Sequence, residues 1–223
     1  MTSKYEITDM QNPENPNLFR IRALRDIPRF KVKAGDLGGY VEKENNLSQA
    51  RDCWVGDDAV VCGVARVYGN AHIYNDARVF GKADIFNHAR IYGSAWISDN
   101  AQIYRSAQIF GHARIYGNTK IFGAARVFDN AQIYGDAEVH CDAWVFGNAQ
   151  VAHAVWLGGS IKLNGHMILT GSGGRCNITS LEQIYYVDGV TAFYTIDNNL
   201  IVAGTTDSTS IEHHKTLAML KLL

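Results

Sequence analysis

Arginine recurs beside aromatic residues in this chain. Arg66, Arg78, Arg90, Arg114 and Arg126 each precede a Val or Ile that is followed by Tyr or Phe, as in Arg90-Ile91-Tyr92. A guanidinium next to a ring can hold a phosphate and stack a base, or grip an acidic protein partner. It can equally lay its stem across the ring and leave its head in water. The candidate binding residues on this reading are Arg90, Arg126, Arg78, Arg114, Trp96, Tyr92 and Phe110.

Other chemistry-bearing residues are sparser. His72 and His88 are near enough in sequence to be neighbours, but no third ligand shares their level, so no metal site is assigned. His140 stands where an aromatic is expected and His153 where a glycine is, which makes them the two candidates for the base of an acyl transfer from a coenzyme A thioester. No phosphate loop, GxGxxG, HExxH or GxSxG is present, and "GSGGRC" reads as a linker. We assign no catalytic residue and no cofactor.

Composition narrows the classes further. The net charge of -1 lacks the basic excess of a general nucleic-acid binder. With 47% hydrophobic residues among 223, the chain can bury a core. "MTSKYEITDM" has no apolar signal region, and no stretch approaches a membrane span. The four cysteines form no CxxC pair. These features lead us to expect a soluble cytoplasmic protein with free thiols.

The element that must position the arginines is a six-residue repeat. Alanine recurs every sixth residue from Ala59 to Ala149, with Thr119 the one replacement in sixteen units, and Val or Ile follows two residues later every time. Six is not a helical period. Alternation within "ARVY" is that of a strand with Ala and Val on one side, and the next two positions favour the Gly, Asn and Asp of a corner. Three strands and three corners close an eighteen-residue coil. The expected fold is all-β: a left-handed parallel β-helix of hexapeptide repeats, with a right-handed one as the alternative because glycine sits one place late.

Eighteen residues per coil sort the outward residues into columns. One holds His72, Arg90, Gln108, Arg126 and Trp144; another holds Arg78, Trp96, Arg114, Gln132 and Gln150. Beside them run aromatic columns such as Tyr74, Tyr92, Phe110, Phe128 and Phe146. Same-face stacking stabilises a sheet, yet so much aromatic surface predicts a covering partner. A homo-oligomer, with a trimer favoured, is expected.

Three segments follow: an N-terminal cap over 1–46, the β-helix over 47–165, and a small C-terminal strand-and-helix (α+β) unit over 166–223. The last carries turns at Asp188-Gly189 and Asp197-Asn199 and a terminal helix. The phrase "VKAGDLGGYVEKENNLSQARDCWV", followed by repeated AxVYGxA units, resembles the YdcK-type β-helix proteins. That resemblance covers the cap and rod. It implies a β-helix, oligomerisation and a phage or mobile-element setting, and it brings no agreed catalytic residues. Together these readings point to a non-enzymatic interaction protein, such as a counter-defence inhibitor that binds a host protein. The alternatives are a sponge for a nucleotide signal at subunit interfaces and a hexapeptide acyltransferase.

Overall fold

The computed structural model describes residues 3–165 and, beyond them, the strand backbones at 168–170, 176–178, 185–187, 191–196 and 199–203. The rod is a three-sided parallel β-solenoid. Its first face stacks Val60–Val61, Arg78–Val79, Trp96–Ile97, Arg114–Ile115, Gln132–Ile133, Gln150–Ala152 and Ile168–Thr170. The second stacks Trp54–Val55, His72–Ile73, Arg90–Ile91, Gln108–Ile109, Arg126–Val127, Trp144–Val145 and Lys162–Leu163. The third runs from Arg66–Val67 through Asp84–Ile85, Gln102–Ile103, Lys120–Ile121 and Glu138–Val139 to Val155–Leu157 and Cys176–Ile178. Seven strands per face at the sheet spacing make a rod roughly 30 Å long.

The repeat explains this shape. Every Ala and every Val or Ile of the frame is buried, so each rung fills the core with three small and three branched side chains. From Trp54–Val55 to Trp144–Val145 the strands are two residues long, where sequence alternation suggests about four. Interstrand bonding nevertheless extends past them: Arg66, Tyr68 and Asn70 all donate backbone N–H groups to the next rung.

The fifth residue of each unit turns the corner with positive φ, for example Asn75 at 56° and Gly93 at 66°. Its N–H points out of the ladder. An Asx side chain one rung earlier accepts it in several places: Asp57 Oδ2 from Asn75 at 2.9 Å, Asp99 Oδ2 from Gly117 at 2.9 Å, and Asp129 Oδ2 from Gly147 at 3.1 Å. Corner side chains also form ladders of their own, as Asn100 Nδ2 donates to Asn118 and Asn118 Nδ2 to Asp136.

The cap is an antiparallel meander of β1 (Tyr5–Gln11), β2 (Phe19–Ala23) and β3 (Leu37–Val41). β3 also pairs in parallel with Val60–Val61, so one strand ends the meander and opens the first face. Gly38 and Gly39 permit this approach: a Cβ at Gly39 would lie 2.4 Å from the Ala59 carbonyl, and one at Gly38 2.5 Å from that of Val55. Lys4 closes the open end of the first coil. Its buried Nζ donates to the carbonyls of Ser48 (2.6 Å) and Cys53 (2.7 Å), while the Tyr5 hydroxyl donates to Leu47 at 2.6 Å. Desolvation lowers the Lys4 pKa from its ordinary value.

Tyr185–Val187, Thr191–Ile196 and Asn199–Ala203 form a three-stranded antiparallel sheet. The turn expected at Asp188-Gly189, residues 197 and 198 of the turn expected at Asp197-Asn199, and the terminal helix lie outside the described residues, while Asn199 itself opens the last strand. Among the described residues no helix is long and apolar enough to cross a membrane.

Candidate functional site

The outward columns stand where the eighteen-residue count places them. Arg90 registers between His72 and Gln108, and Arg126 between Gln108 and Trp144, so the two arginines are separated by one full rung. Tyr92 and Phe110, on the same face, stack at 4.8 Å with planes 4° apart inside a continuous ladder from Tyr74 to Phe146. A second ladder runs from Tyr68 through Phe86, Tyr104 and Phe122 to His140. Partial burial raises the hydroxyl pKa values of Tyr68, Tyr74, Tyr92 and Tyr104, which keeps the ladder tyrosines neutral.

The exposed Trp96 on the first face and the half-buried Trp144 on the second each lie between two cations of their own column. The Arg78 and Arg114 guanidiniums sit 5.8 and 6.0 Å from the Trp96 ring. Arg126 and the Lys162 ammonium sit 4.9 and 4.7 Å from the Trp144 ring. Such contacts each contribute about 0.5–1 kcal/mol at an exposed site. The third face handles charge differently: Arg66 makes a two-bonded pair with Asp84 at 2.8 Å, and Lys120 pairs with Glu138 at 3.0 Å. Among the described residues Arg90, Arg114 and Arg126 have no ion pair.

An open groove of about 780 Å³ lies where the 12–15 loop overhangs the first face. Arg78 and Trp96 line it, together with Arg20, Tyr40, Asp58, Cys62 and Phe80. Glu14 reaches Arg78 at 3.2 Å, and Arg20 binds Asp58 while its guanidinium sits 4.5 Å from the Tyr40 ring. Phe80 meets Trp96 edge-on. Burial, assisted by Glu42, raises the Cys62 thiol pKa above its usual value. Two of the seven candidate residues therefore share this groove. Arg114 stands behind Trp96, and the other four lie on the second face.

His72 and His88 are not brought together. The His72 ring is stacked between Phe30 of the cap, at 4.1 Å, and Tyr74, at 4.4 Å. Burial first, and then the Arg90 charge, lower its pKa to about 4, so it is neutral near pH 7. His88 sits at a corner against Asn70. His153 is exposed at another corner. Among the described residues no three His, Cys, Asp or Glu side chains are grouped as metal ligands.

Glu14, Arg20, Tyr40 and Asp58 carry no signal in the repeat, because the overhanging loop joins positions far apart in sequence. Trp144 and Lys162 were recoverable from the column count, since both fall in register with Arg126.

Residues 107–119, "AQIFGHARIYGNT", match a family model described as the YdcK β-solenoid repeat. The repeat of this chain is similar to that one, and the structure is the parallel all-β solenoid the similarity implies. No curated protein matches the chain.

Proposed function

Taking the chain as a β-solenoid of YdcK-type repeats, we propose that it is a non-enzymatic interaction protein. In this reading the first and second faces bind a protein partner. The supporting observation is the contrast in charge handling: the third face neutralises its own ions, whereas among the described residues Arg90, Arg114 and Arg126 make no ion pair, Arg114 lying against the exposed Trp96 ring and Arg126 against the half-buried Trp144 ring. Trp, Tyr and Arg are the residue types that dominate binding energy at protein interfaces, and a rigid sheet loses little entropy when it binds. The faces suit an acidic partner surface. The phage relationship implied by the cap phrase gives the finer form of the proposal: a homotrimeric counter-defence inhibitor in the host cytoplasm, blocking a host protein such as a CRISPR effector.

A second reading has one observation in its favour. Trp144 between Arg126 and Lys162 offers a ring and two cations, the requirements of a nucleotide signal.

Native mass spectrometry of the protein after incubation with host lysate tests both. We expect a trimer carrying a protein partner, and loss of that partner in the Arg90→Glu/Arg126→Glu variant with its circular dichroism unchanged. Undiminished capture by the variant overturns the assignment of these residues. A small retained mass without protein supports the nucleotide reading.

A further inference from the structure

Three departures from the repeat meet at one corner of the rod. At the fourth position of the unit, where Tyr or Phe is usual, residue 140 is His. At the fifth, where Gly, Asn or Asp is usual, residue 141 is Cys. One rung on, the fourth position is glycine, Gly158. The His140 ring rests on Phe122 at 5.2 Å with planes 13° apart. Its other side lies against Gly158, where a Cβ would stand 2.3 Å from Cε1 and 2.8 Å from Nε2. A Cβ there would displace the ring from this position. Held between these two surfaces, the imidazole places Nδ1 3.1 Å from Cys141 Sγ. Cys141 is exposed, on a corner with φ of 58°, which projects the thiol outward.

An imidazole within hydrogen-bond reach of an accessible thiol is a base beside a nucleophile. We infer that His140 and Cys141 form a reactive pair that exchanges with small-molecule disulfides. With the ring proton on Nε2, Nδ1 accepts the thiol proton. Cys141 Sγ then attacks one sulfur of R–S–S–R and the S–S bond breaks. The departing thiolate takes the proton from His140 and leaves as RSH. Cys141 is oxidised to a mixed disulfide while the other half of the reagent is reduced, so the exchange is complete without a further oxidant. Nearby charges are balanced in sign: Glu138 is paired with Lys120, Asp142 follows the thiol, and Arg105 sits 5.7 Å from the Phe122 ring. Cys53 is buried and Cys62 half-buried, so neither competes in access.

The test uses the full chain and glutathione disulfide, with each cysteine followed over time by peptide mass spectrometry. Cys141 is expected to gain glutathione first, and Cys141→Ser to remove that adduct. His140→Phe restores the ring usual at this position and keeps the stack, so the fold is retained. It should slow modification of Cys141 on the order of 10²-fold, and added free imidazole should restore part of the rate. Modification of Cys141 no faster than that of Cys62, a His140→Phe rate equal to wild type, or no response to imidazole would each overturn the inference. This outcome is separate from partner binding, which involves other faces.

Discussion

Thr119 occupies a position held by alanine in the other fifteen units, and it is fully buried with its Oγ1 lacking a hydrogen-bond partner. An unsatisfied buried hydroxyl costs about 1–3 kcal/mol. Thr119→Val keeps the shape and removes the hydroxyl, so it should stabilise the protein by about 1 kcal/mol, read as a higher urea midpoint with unchanged slope. A lower midpoint would mean that the hydroxyl is satisfied in solution. Inward and outward assignments were legible residue by residue, because strict alternation in an unbroken frame leaves no freedom of register. Corner bonds such as Asp99 to Gly117 were not legible in the same way. The eighteen-residue count sets Gly117 one coil above Asp99, but not the side-chain rotamer that turns Oδ2 onto its N–H.

The contact between cap and rod is where element-level reading stopped. The glycines of "DLGGYV" gain meaning only when β3 is seen to lie against the Ala59 and Val55 carbonyls. His72 belongs to the same junction, since Phe30 of the cap covers its ring. Its pKa falls from 6.5 unfolded to about 4 folded. The unfolded chain therefore binds this proton more readily, and stability drains as pH drops from about 6.5 towards 4, by on the order of 2–3 kcal/mol. His72→Phe preserves a stacking ring without a titrating group. Between pH 7 and 4 the wild type should lose more stability than this variant, and parallel pH profiles from chemical denaturation would refute the buried, neutral imidazole.

At the scale of the whole molecule, rungs touch only their neighbours, so stability accumulates along the axis as in other solenoids. The groove beneath the 12–15 loop and the C-terminal sheet are the departures from that regularity, and the rod between them was the part most fully legible from sequence. Translational sameness has a consequence for length. Rungs register eighteen residues apart, as Arg90 with Gln108 and Ile91 with Ile109. Excising Ala89–Ser106, a whole number of units, should leave a cooperative protein one rung, or about 4.8 Å, shorter. Excising one residue more turns every following side chain to the wrong side, and that variant should be recovered insoluble. A folded nineteen-residue deletion in size-exclusion chromatography would contradict the frame. The distance from cap to far end is thus a whole number of rungs, and the chain behaves as a graduated ruler on which a surface feature can be set at one mark or the next but not between them.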